Sequence, residues 1–152
     1  MRTAGMPPKM WRSLAATTVA YLGLELCWFS WALSRVYRPA FAAMQGLTPA
    51  TNPFRAAYAP PAYAVLVGAL WFFAVLPSAT RAAAAGRASL LAAAVYGVYN
   101  ATNLATLSRY PTRVAALDCA WGLLSFNLAA QAGVIVKPRR GISAADSADA
   151  CA

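Results

Sequence analysis

The sequence predicts an all-α integral membrane protein, a four-helix bundle with antiparallel neighbours and both termini on the same side. Three observations carry that expectation. Apolar residues make up 61% of the 152 residues and charged ones only 11%, where a soluble domain carries about a quarter charged. The apolar residues gather in four runs of 20 to 23 residues, and about 20 residues at ~1.5 Å each cross the hydrocarbon layer. Finally, basic residues flank the runs at Arg12, Arg35, Arg55, Arg81, Arg87, Arg109, Arg113 and Lys137, where they anchor helices at a headgroup layer.

The same features exclude several classes. A net charge of +9 does not signal nucleic acid here, because the basic residues are scattered rather than clustered on a stripe. The chain has no histidine, which removes the commonest metal ligand and general base. Cys27, Cys119 and Cys151 are far apart in sequence and lack zinc-like spacing. Cys27 and Cys119 lie inside apolar runs and read as small packing residues. Ser125 has no histidine or lysine near it in sequence, so a nucleophile there has no visible base. No catalytic residue, cofactor or metal is expected, and an enzyme is the reading with least support.

In chain order, residues 1–13 form a polar lead, with Gly5 and Pro7-Pro8 making its start irregular. Leu14–Leu33 is the first span. The basic residues before it resemble the start of a signal peptide, but the run is too long, holds Glu25 at its centre, and lacks a clear cleavage site. It reads as a retained helix. Ser34–Ala56 is the longest connection, broken by Pro39, Gly46, Pro49 and Pro53; Phe41, Met44 and Leu47 suit an interfacial stretch as well as a solvated loop. Ala57–Leu76 is the second span, with Pro60-Pro61 near its start, where backbone donors lack partners anyway. It is expected to face lipid and pack. Pro77 ends it, and Ser78–Arg87 reads as an Ala-rich basic connection.

Ala88–Leu107 is the third span. Ala93, Gly97, Ala101 and Ala105 recur every fourth residue along it, and such ridges let helix backbones approach closely in lipid. Ser108–Arg113 is a short turn, which makes the third and fourth spans antiparallel neighbours. Val114–Val136 is the fourth span, and residues 137–152 form a basic and polar tail expected to be disordered. The side of the membrane holding both termini carries eight basic residues against five on the other, so the termini are expected in the cytoplasm.

Polar groups inside these spans call for a reason, because they are expensive in lipid. Glu25, Asn100, Asn103 and Asp118 fall in the same half of the bilayer, roughly 6 to 12 Å from the same ends of their runs at the helical rise. Tyr96, Asn100 and Asn103 share one face of the third span, with Tyr99 at its margin. Asp118 and Trp121 share a face of the fourth, and Glu25 and Trp28 a face of the first. Three polar stripes at one depth should therefore meet inside the bundle. Hydrogen-bonded helix glue is one role for them, but membrane pairs average only about 0.6 kcal/mol, while an acid at a helix centre costs about 2.5–3.5 kcal/mol to insert. The other role is a pocket in which Glu25 and Asp118 bind a proton, a cation or a small solute, walled by Trp28, Tyr96, Tyr99 and Trp121, with Asn100 and Asn103 beside them. Trp11, Tyr37, Trp71 and Tyr110 suit interfacial belts or packing.

These residues carry a family resemblance. Tyr96, Tyr99, the run Thr102-Asn103-Leu104-Ala105-Thr106-Leu107, Pro111, Asp118 and Trp121-Gly122 form a pattern that resembles predicted bacterial membrane proteins of domain-of-unknown-function family 2177. Glu25 and Trp28 match an acid-x-x-Trp pattern, Tyr37 a tyrosine that follows it, and Pro77 the end of the second helix. The resemblance spans Leu14 to Val136. It has departures: the family pattern has Asp where this chain has Glu25 and Asn100, and Trp where it has Tyr110, which favours a neutral hydrogen-bonding role at Asn100. The resemblance implies a four-helix membrane protein, in a bacterial plasma membrane or an equivalent organelle membrane, with no settled activity. The alternative to a solute-binding protein is a structural or assembly subunit, forming a homo-oligomer or docking on a larger membrane complex through Ala93, Gly97, Ala101 and Ala105.

Overall fold

A computed structural model describes residues 8–45 and 57–137, all of whose regular structure is helical. The start of the polar lead, the second half of the first connection and the tail beyond Lys137 lie outside the described residues. Helix α1 spans Pro8–Ala32 and passes through a π-helical stretch, Leu33–Tyr37, into α2, Arg38–Gln45. Helix α3 spans Ala59–Ala69 and continues as a second π-helical stretch, Leu70–Val75. Helices α4, Arg81–Thr106, and α5, Thr112–Val136, complete the chain.

Two of the expected connections are shorter than the sequence implied. Helix continues from Ser34 to Gln45, inside the connection that reads in sequence as an interfacial stretch or a solvated loop. Pro39 does not break it, because it falls in the first turn of α2, where a missing N–H is tolerated. The ladder there is already shifted, since the Arg38 amide bonds the Leu33 carbonyl five residues back, the mark of a π turn. The basic connection expected at Ser78–Arg87 shrinks likewise, because α4 begins at Arg81. Thr80 caps it, accepting from the Ala83 amide at 3.1 Å, and Ala82 to Ala85 supply the best helix former known.

Helix α5 packs along both α1 and α4, and the Leu70–Val75 stretch packs against α4 and α5. The contacts fix relative directions. Ser13 donates to the Gly133 carbonyl at 2.9 Å while Trp121 reaches Glu25, so α1 and α5 run antiparallel. Asn127 reaches Ser89, and Asn100 reaches Asp118, so α4 and α5 do too. Trp71 donates to Ser13 and Tyr63 to Glu25, which opposes α3 to α1.

The interior encloses polar groups beside an apolar core, while many large apolar side chains face outward. Ser13, Thr17, Glu25, Asn100 and Ser125 are buried, while Leu26 is 73% and Leu90 74% exposed, as large apolar side chains are around the outside. Large contiguous apolar surface of this kind marks a membrane or a partner. Helices α4 and α5 are long and apolar enough to cross a membrane, and Ala59–Val75 is an apolar but shorter helix. Tyr21, Leu70, Val75 and Phe126 fill the core against Ala88, Ala92, Ala129 and Ala130. Small residues let the backbones close up: a Cβ added at Gly122 would meet the Tyr96 ring at 2.2 Å. Cys27, expected to pack, is exposed instead.

At the opposite end from Glu25, the Lys137 ammonium donates to the carbonyls of Val75 (3.1 Å), Leu76 and Ser78 (2.8 Å). A cation on the last carbonyls of a helix satisfies acceptors that have no partner in the ladder. Lys137→Met is therefore expected to cost about 1–2 kcal/mol, read as a lower melting temperature in detergent. Faster amide exchange should be confined to residues 70–78; unchanged exchange there would show that the carbonyls have other partners.

Candidate functional site

The polar faces of α1, α4 and α5 do meet, around a cavity of about 800 Å3. Its lining includes Glu25, Trp28, Tyr96, Tyr99, Asp118 and Trp121, six of the eight residues singled out in the sequence. The other two stand behind the wall. Asn100 is buried and donates to Asp118 Oδ2 at 2.7 Å and to the Tyr96 carbonyl at 2.9 Å. Asn103, one turn on, is half-buried.

Each carboxylate is held by two donors from other segments. Trp121 Nε1 donates to Glu25 Oε1 at 2.8 Å and the Tyr63 hydroxyl to Oε2 at 3.3 Å. Asp118 Oδ1 accepts from the Tyr37 hydroxyl at 2.7 Å, opposite Asn100 on Oδ2. Tyr37 in turn accepts from Trp28 Nε1 at 3.2 Å, which commits its own proton to Asp118. Indole N–H groups only donate, so the direction of these chains is fixed. The set of donors is complementary to carboxylate anions, and bonds of that kind are about twice as strong as neutral ones.

Tyr110 closes the back of the network, donating to Asn100 Oδ1 at 2.7 Å from the turn between α4 and α5. Burial pushes its phenol above the usual range, so it stays a protonated donor at neutral pH. Among the described residues, every buried side-chain nitrogen or oxygen has a hydrogen-bond partner.

Aromatic rings form most of the remaining wall. Trp28 and Trp121 stack at 4.6 Å between centroids and 7° between planes. Tyr21 and Tyr96 share a hydroxyl contact of 2.9 Å, and both meet Phe126 edge-on at 5.5 Å. Phe29, Tyr37, Phe41, Tyr63 and Tyr110 add further rings to the lining, which among the described residues contains two carboxylates and no lysine or arginine. Among the described residues, no group of His, Cys, Asp or Glu side chains is arranged to hold a metal ion.

Sequence reasoning missed Tyr37 and Tyr63 as partners of the acids, and Tyr110 as a partner of Asn100. Tyr37 and Tyr110 were assigned to belts or packing, and Tyr63 to a lipid-facing run. Of the belt and packing roles open to Trp71, the structure has packing: it is buried in the core and donates to Ser13. One readable signal is available for Tyr63, a phenol inside a run whose other hydrogen-bonding side chains are only Tyr58 and Trp71. A buried phenol needs a partner.

Helical in all the regular structure of its described residues, with large apolar side chains outside and two helices long and apolar enough to cross a bilayer, the chain has the make-up of a helical membrane protein. The chain belongs to the family described as "Predicted membrane protein (DUF2177)", which matches residues 10–135. No curated protein and no solved structure matches it.

Proposed function

We propose that the protein is a four-helix membrane bundle, with both termini in the cytoplasm of a bacterial cell, that binds a proton, cation or small solute between its helices. One observation carries this reading: carboxylates from separate helices, Glu25 and Asp118, line one cavity, with no lysine or arginine among the described residues of its lining. Two negative charges in a medium of low dielectric attract a positive one strongly. Helix glue accounts for the hydrogen bonds but not for the space, since a packing network closes on itself. Cavities of roughly 300–1,000 Å3 are the size that holds small organic ligands.

The experiment is a cation-dependent tryptophan signal in proteoliposomes, with Trp28 and Trp121 as reporters. Glu25→Gln and Asp118→Asn are each expected to weaken the response by about tenfold or more, because each removes one charge at close range. A response equal to that of the wild type in both variants refutes the reading.

A second reading rests on the small-residue ridge. Ala93, Ala101 and Ala105 are exposed, and a Cβ added at Gly97 would meet nothing within 4 Å. The ridge therefore faces away from the other helices, where it suits a second copy or another membrane helix. Gly97→Leu is expected to release such a partner on mild-detergent purification while leaving the chain itself at least as stable as the wild type, since its Cβ meets no neighbour and it gains helix propensity. A wild-type chain that purifies as a lone stable monomer counts against this role.

A further inference from the structure

The cavity wall suggests which kind of cation belongs inside. All four oxygens of Glu25 and Asp118 already accept hydrogen bonds from the protein. A primary ammonium brings three N–H donors, each of which needs an acceptor and would have to share an oxygen already bonded to Trp121, Tyr63, Tyr37 or Asn100. A quaternary ammonium brings none. It requires only negative potential and ring faces, and aromatic cages recognise such groups through the ring quadrupole. Trp28, Tyr37, Tyr63, Tyr99 and Trp121 supply those rings around the two charges. The exposed surface of the lining is mostly apolar carbon, which suits an alkylated cation and disfavours a hydrated inorganic ion.

The way in is also visible. The Leu70–Val75 stretch packs against α4, but α3 itself packs only weakly on α1 and does not pack closely on α4. Val65 and Leu66 of α3 and Val95 and Tyr99 of α4 line the cavity on either side of that gap. Val65 is 71% and Tyr99 55% exposed. Among the described residues, the cavity thus has a side facing the apolar belt of the protein. A ligand with an alkyl tail can leave the tail between α3 and α4 while its head lies against Glu25 and Asp118.

Resting on the cation-binding reading above, we propose that the cavity takes a lipophilic quaternary ammonium ion, its charged head among the aromatic rings and its chain in the gap between α3 and α4. The test uses the full chain in a non-ionic maltoside detergent, with protein-free micelles subtracted. Tryptophan emission is titrated with dodecyltrimethylammonium, tetramethylammonium, dodecylammonium and dodecyl sulfate. Dodecyltrimethylammonium is expected to bind at least about tenfold more tightly than the other three, a gap in keeping with a desolvated cation–π contact plus a buried chain. Val65→Trp, which narrows the gap, is expected to weaken dodecyltrimethylammonium while leaving tetramethylammonium unchanged.

The outcomes separate this inference from the reading beneath it. Equal or tighter binding of dodecylammonium overturns the quaternary head but leaves a cation site. Equal binding of tetramethylammonium, or no effect of Val65→Trp, overturns the alkyl chain and its gap. Equal binding of dodecyl sulfate, or wild-type binding of dodecyltrimethylammonium by the Glu25→Gln, Asp118→Asn double variant, overturns both.

Discussion

Asp118→Ala is expected to lower stability by about 3 kcal/mol. The carboxylate holds the Tyr37 hydroxyl and the Asn100 amide, each at 2.7 Å, and so ties the end of α1 to α4 through α5. Removing it strands both donors, and a buried donor without a partner costs its full desolvation. The effect should spread, because Tyr37 is also the acceptor for Trp28 and Asn100 the acceptor for Tyr110. Asp118→Asn keeps the shape and one acceptor, so about half of the loss should return. Melting temperature in detergent measures both. An alanine variant as stable as the wild type would mean that Tyr37 and Asn100 find other partners with little rearrangement.

Gly133→Ala is the other large effect expected, about 2–3 kcal/mol from overpacking alone. A Cβ there would lie 2.1 Å from Thr17 Oγ1 and 3.0 Å from Val75 Cγ1. Neither neighbour has room to move, since Thr17 and Val75 are both fully buried. The backbone of α5 would have to retreat from α1, and the Ser13 hydrogen bond to the Gly133 carbonyl would stretch with it. Gly97→Ala provides the contrast, with no nearby atom to meet and a gain in helix propensity of roughly 0.8–1.0 kcal/mol. Thermal unfolding of the pair should move in opposite directions; a Gly133→Ala protein that melts with the wild type would contradict the close approach of these helices.

The polar faces were legible in the sequence because lipid makes every polar group conspicuous. Glu25, Asn100 and Asp118 each interrupt an apolar run, and helical spacing places Trp28, Tyr96 and Trp121 beside them. The family was legible for the same reason. The helix limits were less so. Pro39 and the basic residues from Arg81 to Arg87 are breakers and anchors by type, yet Pro39 falls in a first turn and Thr80 caps a helix that the Ala run extends. The phenols of Tyr37, Tyr63 and Tyr110 were misread because tyrosine is as much at home at a headgroup layer as in a buried network. Only the tertiary fold decides which of the two it joins.

The π-helical stretch Leu33–Tyr37 has a consequence for how this part of the chain tolerates length changes. One surplus residue there turns everything downstream by about 100° relative to an uninterrupted α-helix, since each residue advances the helix by that angle. It is that rotation which carries the Tyr37 phenol round to Asp118. Deleting a single residue such as Ser34 would remove the surplus and restore a regular ladder with the phenol in the same phase, whereas inserting one would turn it away from Asp118. An insertion, more than a single deletion, is thus the change of length to which this wall of the cavity should be most sensitive.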